Sequence, residues 1–277
     1  MFKLAWRSLI SHPIRSILTS ASVCIAILLL CLLRSIVTTL DAGIEASSAA
    51  RLIVMSKVSL FVDMPISYQD KIAKIEGVEN LVKWQWFGGY YRDPSNFFAQ
   101  FAVDPDLMLD TYPECELDAE SRQRFFTTRN GCIVGKKLAD EFQWEIGETI
   151  PLTGALFPKP GGGAWEFVVS GIYTSKAPNF DERTMMFGWK YFEETLRADG
   201  QDPGVGIYVF RVGPGGNVER VMREVETMFE NGPMAVRCAP ESEFQRMFIS
   251  MMGDIPMLLG WIGAGVFIAL LMACVNT

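Results

Sequence analysis

Histidine is almost absent from this sequence, and its absence excludes several catalytic chemistries. The single histidine, His12, precedes the first long apolar run of the chain. A Ser-His-Asp triad, a Cys-His pair and a histidine-ligated zinc site all need an imidazole next to other reactive side chains. The polar stretch that follows Arg34 therefore carries none of these sites. It also lacks a recognisable nucleophile elbow, so we expect the chain not to be an enzyme.

Phosphate-binding and nucleic-acid-binding signatures are missing as well. The sequence contains no GxxxxGK(S/T) loop, and the glycine-rich stretches at 158–163 and 213–216 lack the lysine and hydroxyl residue that would follow, so we interpret them as turns. The net charge is −7, and no basic stripe crosses the polar part, which argues against a nucleic-acid partner. The acidic stretch 104–110 lacks the central glycine and distal glutamate of a calcium loop and is interpreted as a helix N-terminus. We expect no cofactor and no metal in this chain.

Acidic residues are absent from the beginning of the chain. None precedes Asp41, whereas Lys3, Arg7 and Arg15 stand before the first apolar run. Because cytoplasmic flanks of membrane helices carry an excess of lysine and arginine, we place the N-terminus in the cytoplasm and the acidic middle of the chain outside the membrane. Residues 1–15 are interpreted as an amphipathic helix lying at the inner membrane interface. The side chains that we assign to the membrane interface are Trp6, Arg7, Arg15 and Arg34.

Charged residues are also absent from two long apolar runs, 16–33 and 255–277. As helices they would be roughly 27 and 34 Å long, which matches a bilayer core of about 30 Å. The first run is longer than the apolar part of a signal peptide and ends at Arg34 rather than at small residues, which favours a retained helix. The sequence therefore predicts transmembrane helices at 16–37 and 255–277 around an extracytoplasmic domain at 38–254. In the second helix, a face of small residues is predicted to pack against another helix: Gly260, Gly263 and Gly265.

Cysteine gives little information about the outer domain. Cys115, Cys132 and Cys238 lie in the polar stretch, and three thiols cannot all pair with one another. Their spacing matches neither a metal site nor a small disulfide scaffold. Buried free thiols are the favoured interpretation, and one disulfide among the three is the alternative.

The middle of the chain alternates between strand-like and helix-like segments. Runs rich in aromatic and β-branched residues predict strands, at 51–62, 78–91, 97–103, 164–173 and 206–212. Apolar spacing and end signals predict helices, near 67–78, 119–126, 136–142, 191–197, 218–230 and 241–252. No tandem repeat and no low-complexity linker is present. We expect a mixed α+β domain with two subdomains.

Aromatic residues are unusually dense at 84–91 and 97–98. Successive side chains of a strand point to opposite faces, so about half of these rings are expected in the core. The others form a hypothetical surface for a partner or a ligand, for which the candidates are Trp84, Trp86, Tyr90 and Phe98.

Several long segments, taken in order, are similar to those of one family of membrane proteins. They are WRSLISHPIRSILTSASV at 6–23, WFGGYYRDPSNFFAQFAVDP at 86–105, IVGKKLADEFQWEIGETIPLTG at 133–154, FPKPGGGAWEFVVSGIY at 157–173 and FISMMGDIP at 248–256. The sequence thereby resembles the MacB-like periplasmic core domain and FtsX-like permease family of ABC transporters, over nearly the whole chain. The resemblance implies a MacB-like periplasmic α+β fold held between transmembrane helices of the bacterial inner membrane.

The resemblance also implies a function and partners. Such permeases have one span before the outer domain and three after it, and ATP hydrolysis on a separate ABC ATPase moves the outer domain (mechanotransmission), for export or for release of lipids or lipoproteins. The implied partners are that ATPase with its ATP, a second permease copy (identical or related), the lipid bilayer, and a periplasmic adaptor or cargo protein. Because the sequence stops at the inner end of the second apolar run, we expect a permease truncated after its second transmembrane helix. Two spans around an outer domain are also typical of bacterial receptors, so a receptor with an extracytoplasmic ligand-sensing domain is the alternative.

Overall fold

The structure, a computed structural model, describes residues 51–177 and 180–251, with side chains as far as residue 247. Outside these ranges it describes helical positions at 17, 21, 23–29, 31–32, 34–35, 38, 260–265 and 268. The chain divides into two compact units, one of residues 46–244 and one of residues 1–45 and 245–277. Among the positions described, no helix is both long enough and apolar enough to cross a bilayer. The predicted segments 1–15, 16–37 and 255–277 fall largely outside the described residues and stay predictions.

The described residues contain eleven strands and seven helices besides the terminal helical positions. The strands are β1 (Arg51–Ser56), β2 (Val78–Trp86), β3 (Gly89–Tyr91), β4 (Ala99–Val103), β5 (Cys115–Glu116), β6 (Gly131–Gly135), β7 (Thr149–Gly154), β8 (Trp165–Ser175), β9 (Thr184–Gly188), β10 (Ile207–Val212) and β11 (Val236–Pro240). The helices are α1 (Tyr68–Ile72), α2 (Pro105–Thr111), α3 (Ala119–Thr127), α4 (Lys136–Phe142), α5 (Trp189–Arg197), α6 (Val218–Phe229) and α7 (Glu241–Met251). The domain is therefore mixed α+β, as the sequence predicts.

Strands from the two ends of the domain form its first half. β1, α1 and β2 are followed, after a long insertion, by β10, α6 and β11, and the strand order is β11-β1-β10-β2. Every neighbouring pair in this half is antiparallel. This is the ferredoxin-like arrangement of a split βαβ motif, interrupted between β2 and β10.

Helices α1 and α6 pack together in this half. Val221, Val225 and Phe229 repeat at every fourth position of α6 and are buried. Asn217 caps α6 by accepting a backbone hydrogen bond at 2.9 Å. The Phe229 ring stacks on Tyr68 of α1, with 3.9 Å between the ring centroids. The apolar stripe of α6 therefore holds both helices to the core.

The helix predicted near 67–78 is shorter than expected. α1 ends at Ile72, and the amides of Lys74 and Ile75 bond to carbonyls only three residues back. Gly77 follows with φ +96, a left-handed conformation that closes the turn into β2. The tighter turns thus replace the last part of the expected helix, whereas the other five predicted helices are observed within three residues of their expected ends.

The insertion extends the same sheet. From β2 the strand order continues as β4-β9-β6-β8-β7-β3, with parallel pairing between β4 and β9 and between β6 and β8. Trp84 of β2 lies opposite Val103 of β4, so the two halves share one continuous sheet. The two subdomains expected from the sequence are therefore joined, and residues 46–244 form a single compact unit.

The sheet curls back on itself within the insertion. β3 follows β2 after only Phe87 and Gly88, but it pairs with β7 at the far end of the strand order. Gly88 has φ +61, a conformation that favours glycine at this corner. The Phe87 ring is enclosed by the rings of Trp165, Phe167 and Phe187, with centroids 5.4 to 6.0 Å away. Aromatic packing inside the curl thus forms the core of this half.

Candidate functional site

A buried arginine opens the first strand of the domain. Arg51 is 3% exposed. Its Nη2 donates to Glu114 Oε1 at 2.5 Å, its Nε donates to Glu241 Oε2 at 2.9 Å, and its Nη1 donates to the Thr111 carbonyl at 2.9 Å. The guanidinium carbon lies 3.9 Å from the centroid of the Tyr112 ring. We call Arg51, Tyr112, Glu114 and Glu241 the arginine cluster.

The charges of the arginine cluster stabilise one another. Burial by itself would lower the pKa of Arg51, but the hydrogen bond to Glu114 and the neighbouring acidic groups outweigh it and raise that pKa. Burial, reinforced by the charge of Glu241, raises the pKa of the Tyr112 phenol, which therefore stays protonated. A buried guanidinium is stable only with this kind of paired, hydrogen-bonded partner. The cluster thus combines one cation with two carboxylates inside the domain.

The arginine cluster joins three separate parts of the chain. Arg51 is the first residue of β1, and Glu241 is the first residue of α7, directly after the last strand. Glu114 lies between α2 and β5, in the insertion. Leu52 of β1 pairs with Pro240 of β11, so the chain enters and leaves the sheet at the same end. One side chain therefore fixes the beginning, the end and the insertion of the domain to each other.

A second ion pair crosses from the first half to the insertion. Lys83 Nζ of β2 lies 3.1 Å from Asp104 Oδ1 and donates to Gln69 Oε1 at 3.1 Å. The Lys83 amide also donates to Asp104 Oδ2 at 3.0 Å. Burial raises the pKa of Asp104, against the opposing effect of Lys83. The helix start predicted at 104–110 is confirmed, but the Asp104 carboxylate makes no capping bond there, because it binds Lys83 instead.

Of the four aromatic residues predicted to form a partner surface, two are buried in the structure and two are partly exposed. Trp84 and Phe98 are buried, which corrects the hypothesis that they face a partner. The Trp84 ring packs edge-on against Phe101 and Tyr112, at 5.1 and 5.4 Å. Trp86 and Tyr90 are partly exposed, so only these two candidates remain at the surface. Neither carries a tested role, and the partner surface stays a hypothesis.

Two apolar side chains that sequence reasoning missed lie beside Trp86. Phe97 is 55% exposed, with its ring centroid 5.9 Å from that of Trp86, and Leu156 is 59% exposed. A Cβ built on Gly88 would come within 2.6 Å of Leu156 Cδ1 and 3.0 Å of Trp86 Nε1, so both side chains lie against the glycine. We call Trp86, Gly88, Phe97 and Leu156 the aromatic patch. Strand alternation predicts that one of Phe97 and Phe98 faces outward, but it does not tell which.

Arg51 and Trp86 lie at opposite ends of the first half. β1 and β2 each pair antiparallel to β10, so they run in the same direction. Arg51 is the first residue of β1, and Trp86 is the last residue of β2. The aromatic patch is therefore at the end of the sheet remote from both chain connections.

The three cysteines of the domain are buried free thiols, which confirms the favoured interpretation. Burial raises the pKa of Cys115 and of Cys238 to about 12, and it raises the pKa of Cys132 further. Thiols with such pKa values are poor nucleophiles and poor metal ligands. Within the described residues, no three side chains of the metal-ligating types lie together.

The remaining predicted residues belong to the terminal segments. Arg34 is an exposed helical position, Gly263 is buried, and Gly260 and Gly265 are exposed. A Cβ built on Gly260 or on Gly265 would meet no described atom within 4 Å. Their roles at the membrane interface and in helix packing stay predictions. The other predicted interface residues, Trp6, Arg7 and Arg15, lie outside the described residues.

Comparison with known proteins gives this fold a family. The model of the MacB-like periplasmic core domain matches residues 16–228. The crystal structure of the periplasmic region of MacB from Actinobacillus actinomycetemcomitans is 8% identical, covers 75% of this chain and 95% of its own, and superposes with a TM-score of 0.53. The extracellular domain of the noncanonic ABC-type transporter YknZ from Gram-positive bacteria is 11% identical, covers 68% of this chain and 99% of its own, and gives a TM-score of 0.48. No curated protein sequence matches the chain.

The family match extends over most of the chain, and the solved MacB region has the same mixed fold. It includes β1, the whole insertion and all of α6 except its last residue. Of the arginine cluster it contains Arg51, Tyr112 and Glu114, but not Glu241. This chain belongs to the family of the MacB-like periplasmic core domain, the extracytoplasmic domain of ABC-transporter-type permeases.

Proposed function

We propose that this chain is a permease subunit of an ABC transport complex, in which ATP hydrolysis on a separate ATPase moves the extracytoplasmic domain. Membership of the MacB-like family supports this class of complex. In the proposal the chain binds no ATP itself, and a second permease copy completes the assembly. The domain transmits movement (mechanotransmission) for export or for release of lipids or lipoproteins.

The arginine cluster is the observation that carries this proposal. One guanidinium binds Glu241, next to the last strand, and Glu114, in the insertion, while its own residue opens the first strand. A displacement of either chain connection therefore reaches the sheet and the insertion through the same side chain. Charge-assisted hydrogen bonds are directional, so they hold a fixed geometry under load. The Lys83–Asp104 pair ties the two halves a second time.

The proposal includes a membrane arrangement. The charge-free runs and the basic N-terminal flank support spans at 16–37 and 255–277, an interfacial helix at 1–15 and a cytoplasmic N-terminus, in the bacterial inner membrane. The domain at 38–254 would then be periplasmic or extracytoplasmic. In this arrangement the basic and aromatic side chains near the first span anchor it, and the glycines of the second span allow another helix to approach closely.

The aromatic patch is the surface that we assign to a periplasmic adaptor or cargo protein. Phe97 and Leu156 are both more than half exposed and adjacent to Trp86. The patch is remote from Arg51 and from Glu241, so a partner bound there would not obstruct the chain connections. Apolar surface that remains exposed in this way commonly marks a contact with another protein.

Copurification tests the proposed complex directly. The permease, solubilised from its native membrane, should bring down an ABC ATPase of the same cell, and ATP should change the conformation of the permease. The permease carrying Arg51→Met should still bind the ATPase, because the substitution is confined to the outer domain, but it should no longer respond to ATP. Recovery of the permease alone, with a conformation that is insensitive to nucleotide, would contradict the proposal.

A further inference from the structure

The strand β11 ends the sheet, and its outer edge has no strand neighbour among the described residues. It pairs with β1 on its inner side only. Unpaired edges of this kind can accept a further strand from another chain, unless side chains or proline block them. The groups that cover the outer edge of β11 therefore determine whether a further strand can bind to it.

The register of β11 with β1 shows which backbone amide and carbonyl groups of β11 face away from β1. The Lys57 amide donates to the Ala235 carbonyl at 2.9 Å, so this pair is a hydrogen-bonded one. Hydrogen-bonded and non-hydrogen-bonded pairs alternate along an antiparallel ladder. Arg237 and Ala239 therefore direct their backbone groups toward β1. Counting along the strand, the residues with outward backbone groups are Val236, Cys238 and Pro240.

A side chain of α6 covers the centre of this outer edge. Glu226 Oε1 accepts a hydrogen bond from the Cys238 amide at 2.9 Å, the position that the carbonyl of an added strand would take. Glu226 is partly exposed, so a rotation of its side chain into solvent can free the amide. Pro240 has no amide hydrogen, which limits any added strand to the region around Val236 and Cys238. Val236 and Cys238 are 4% and 2% exposed, so an added strand reaches the Cys238 amide only after Glu226 moves aside.

A cavity of about 540 Å³ runs beside this edge. Its volume lies within the range of sites that hold small molecules or short peptide segments. Basic residues exceed acidic ones along its lining, which includes Lys57, Arg223, Arg237, Glu226 and Glu230. Arg237 pairs with Glu243 at 2.5 Å, but no carboxylate of the described residues forms an ion pair with Lys57 or Arg223. When Glu226 withdraws from the cavity, Lys57 and Arg223 face only Glu230, so the lining gains a positive excess that favours an acidic occupant.

We propose that the outer edge of β11 is a gated docking site for an extended acidic peptide segment of a partner protein. The segment adds as a strand after Glu226 leaves the Cys238 amide, its backbone bonds to Val236 and Cys238, and its carboxylates pair with Lys57 and Arg223. The partner supplies its own carbonyl in place of the Glu226 carboxylate, so no buried hydrogen bond is lost on binding. This inference is independent of the transport proposal, because it concerns the domain surface alone.

Peptide binding to the full chain in detergent micelles tests the gate. The probe is a fluorescein-labelled peptide of alternating valine and glutamate, measured by fluorescence anisotropy. Glu226→Ala removes the competing acceptor and should tighten binding by about tenfold, the equivalent of one hydrogen bond. Glu226→Gln keeps an acceptor but no charge, so it should bind more weakly than Glu226→Ala. Hydrogen exchange of the Cys238 amide should become faster in Glu226→Ala and slow again when the peptide is added.

Two further arms distinguish docking from simpler explanations. Arg223→Glu, combined with Glu226→Ala, should weaken binding of the acidic peptide. A valine–lysine peptide should bind poorly to the unmodified chain and to Glu226→Ala. Equal binding by Glu226→Ala and Glu226→Gln would show an effect of charge alone and overturn the gate. If Glu226→Ala associates with itself and binds no peptide, the edge is only protected against aggregation, and the proposal fails.

Discussion

Arg51 is a buried residue that connects distant parts of the domain through charge-assisted hydrogen bonds. Its guanidinium is hydrogen-bonded to two carboxylates and a carbonyl, and it lies over the Tyr112 ring. In the sequence it stands at the beginning of the run RLIVMS, where an arginine is ordinarily interpreted as a solvated strand end. Its partners are 60 to 190 residues distant. No local pattern could predict this cluster, because it depends on the tertiary pairing of distant segments.

Removal of the Arg51 charge should destabilise the domain strongly. Arg51→Met leaves Glu114 and Glu241 as buried carboxylates without their cation, at a cost of about 3 to 5 kcal/mol in the free energy of unfolding. Arg122→Met is the matched control, because Arg122 and its partner Asp110 are both about half exposed and the loss should be below about 1 kcal/mol. Denaturant unfolding followed by tryptophan fluorescence gives both values. Equal shifts for the two variants would show that burial of Arg51 has no energetic consequence.

The buried thiols predict a loss of stability at alkaline pH. Burial raises the pKa of Cys115 and of Cys238 from 9.0 to about 12. Between these values the folded chain binds more protons than the unfolded chain, so the free energy of unfolding falls as the pH rises. The stability that these protonated thiols contribute is fully present below the pKa of the unfolded chain, 9.0, and is lost as the pH rises through the folded pKa of about 12. Cys238→Ala should flatten this slope, measured by urea unfolding at several pH values.

At the scale of elements, the corner between β2 and β3 decides how the sheet closes. Gln100 of β4 is fully buried, and its amide group bonds to both backbone groups of Gly89, at 2.9 and 3.0 Å. A side chain thereby makes the two hydrogen bonds that a neighbouring strand would make. A Cβ on Gly89 would meet the Phe87 ring and the Thr153 carbonyl within 2.9 Å, so the backbone must approach closely here.

Substitution of Gln100 should therefore open this corner. Gln100→Leu keeps the volume but leaves the amide and the carbonyl of Gly89 buried without partners, which should lower the free energy of unfolding by about 2 to 5 kcal/mol. Hydrogen exchange at the Gly89 amide should accelerate in parallel. Gln123→Leu, on the exposed side of α3, should change the stability by less than about 0.5 kcal/mol. If Gly89 exchanges at the same rate in both variants, Gln100 does not hold the corner.

Particular elements show what the sequence could and could not predict. Lys136–Phe142 was predicted as a helix from its apolar spacing, and α4 has the same bounds. β6 and β9 were missed because GCIVG and TMMFG are buried along nearly their whole length, so they lack the alternation that marks a half-exposed strand. In the candidate surface, the sequence indicates the aromatic segment but not its register, so it predicts Phe98 at the surface, whereas the exposed residue is Phe97.

At the scale of the whole molecule, one sheet and two ion pairs unite the domain. The pairing of β2 with β4 joins the first half to the insertion. Two ion pairs at separate positions, Arg51–Glu114 and Lys83–Asp104, link the same two parts. The resemblance in the sequence predicted the MacB-like family, which the family match confirms. It could not predict the strand order, since β3 and β7 pair residues that are 61 to 65 positions apart in the chain, through the curl of the sheet. The shared sheet and the two ion pairs predict that the domain moves as one body in the proposed permease.

The distance between two spin labels, with and without nucleotide, tests this account most directly. One label replaces Glu76, between α1 and β2 of the first half, and the other replaces Lys190, in the insertion. Both of these side chains are 85% exposed. In the permease assembled with its ATPase, pulsed electron paramagnetic resonance should find the distance between the labels at Glu76 and Lys190 unchanged when an ATP analogue binds. The distance between the Lys190 labels of two permease copies should change under the same conditions. A change within one domain, or no change between the copies, would contradict transmission of movement by a rigid domain.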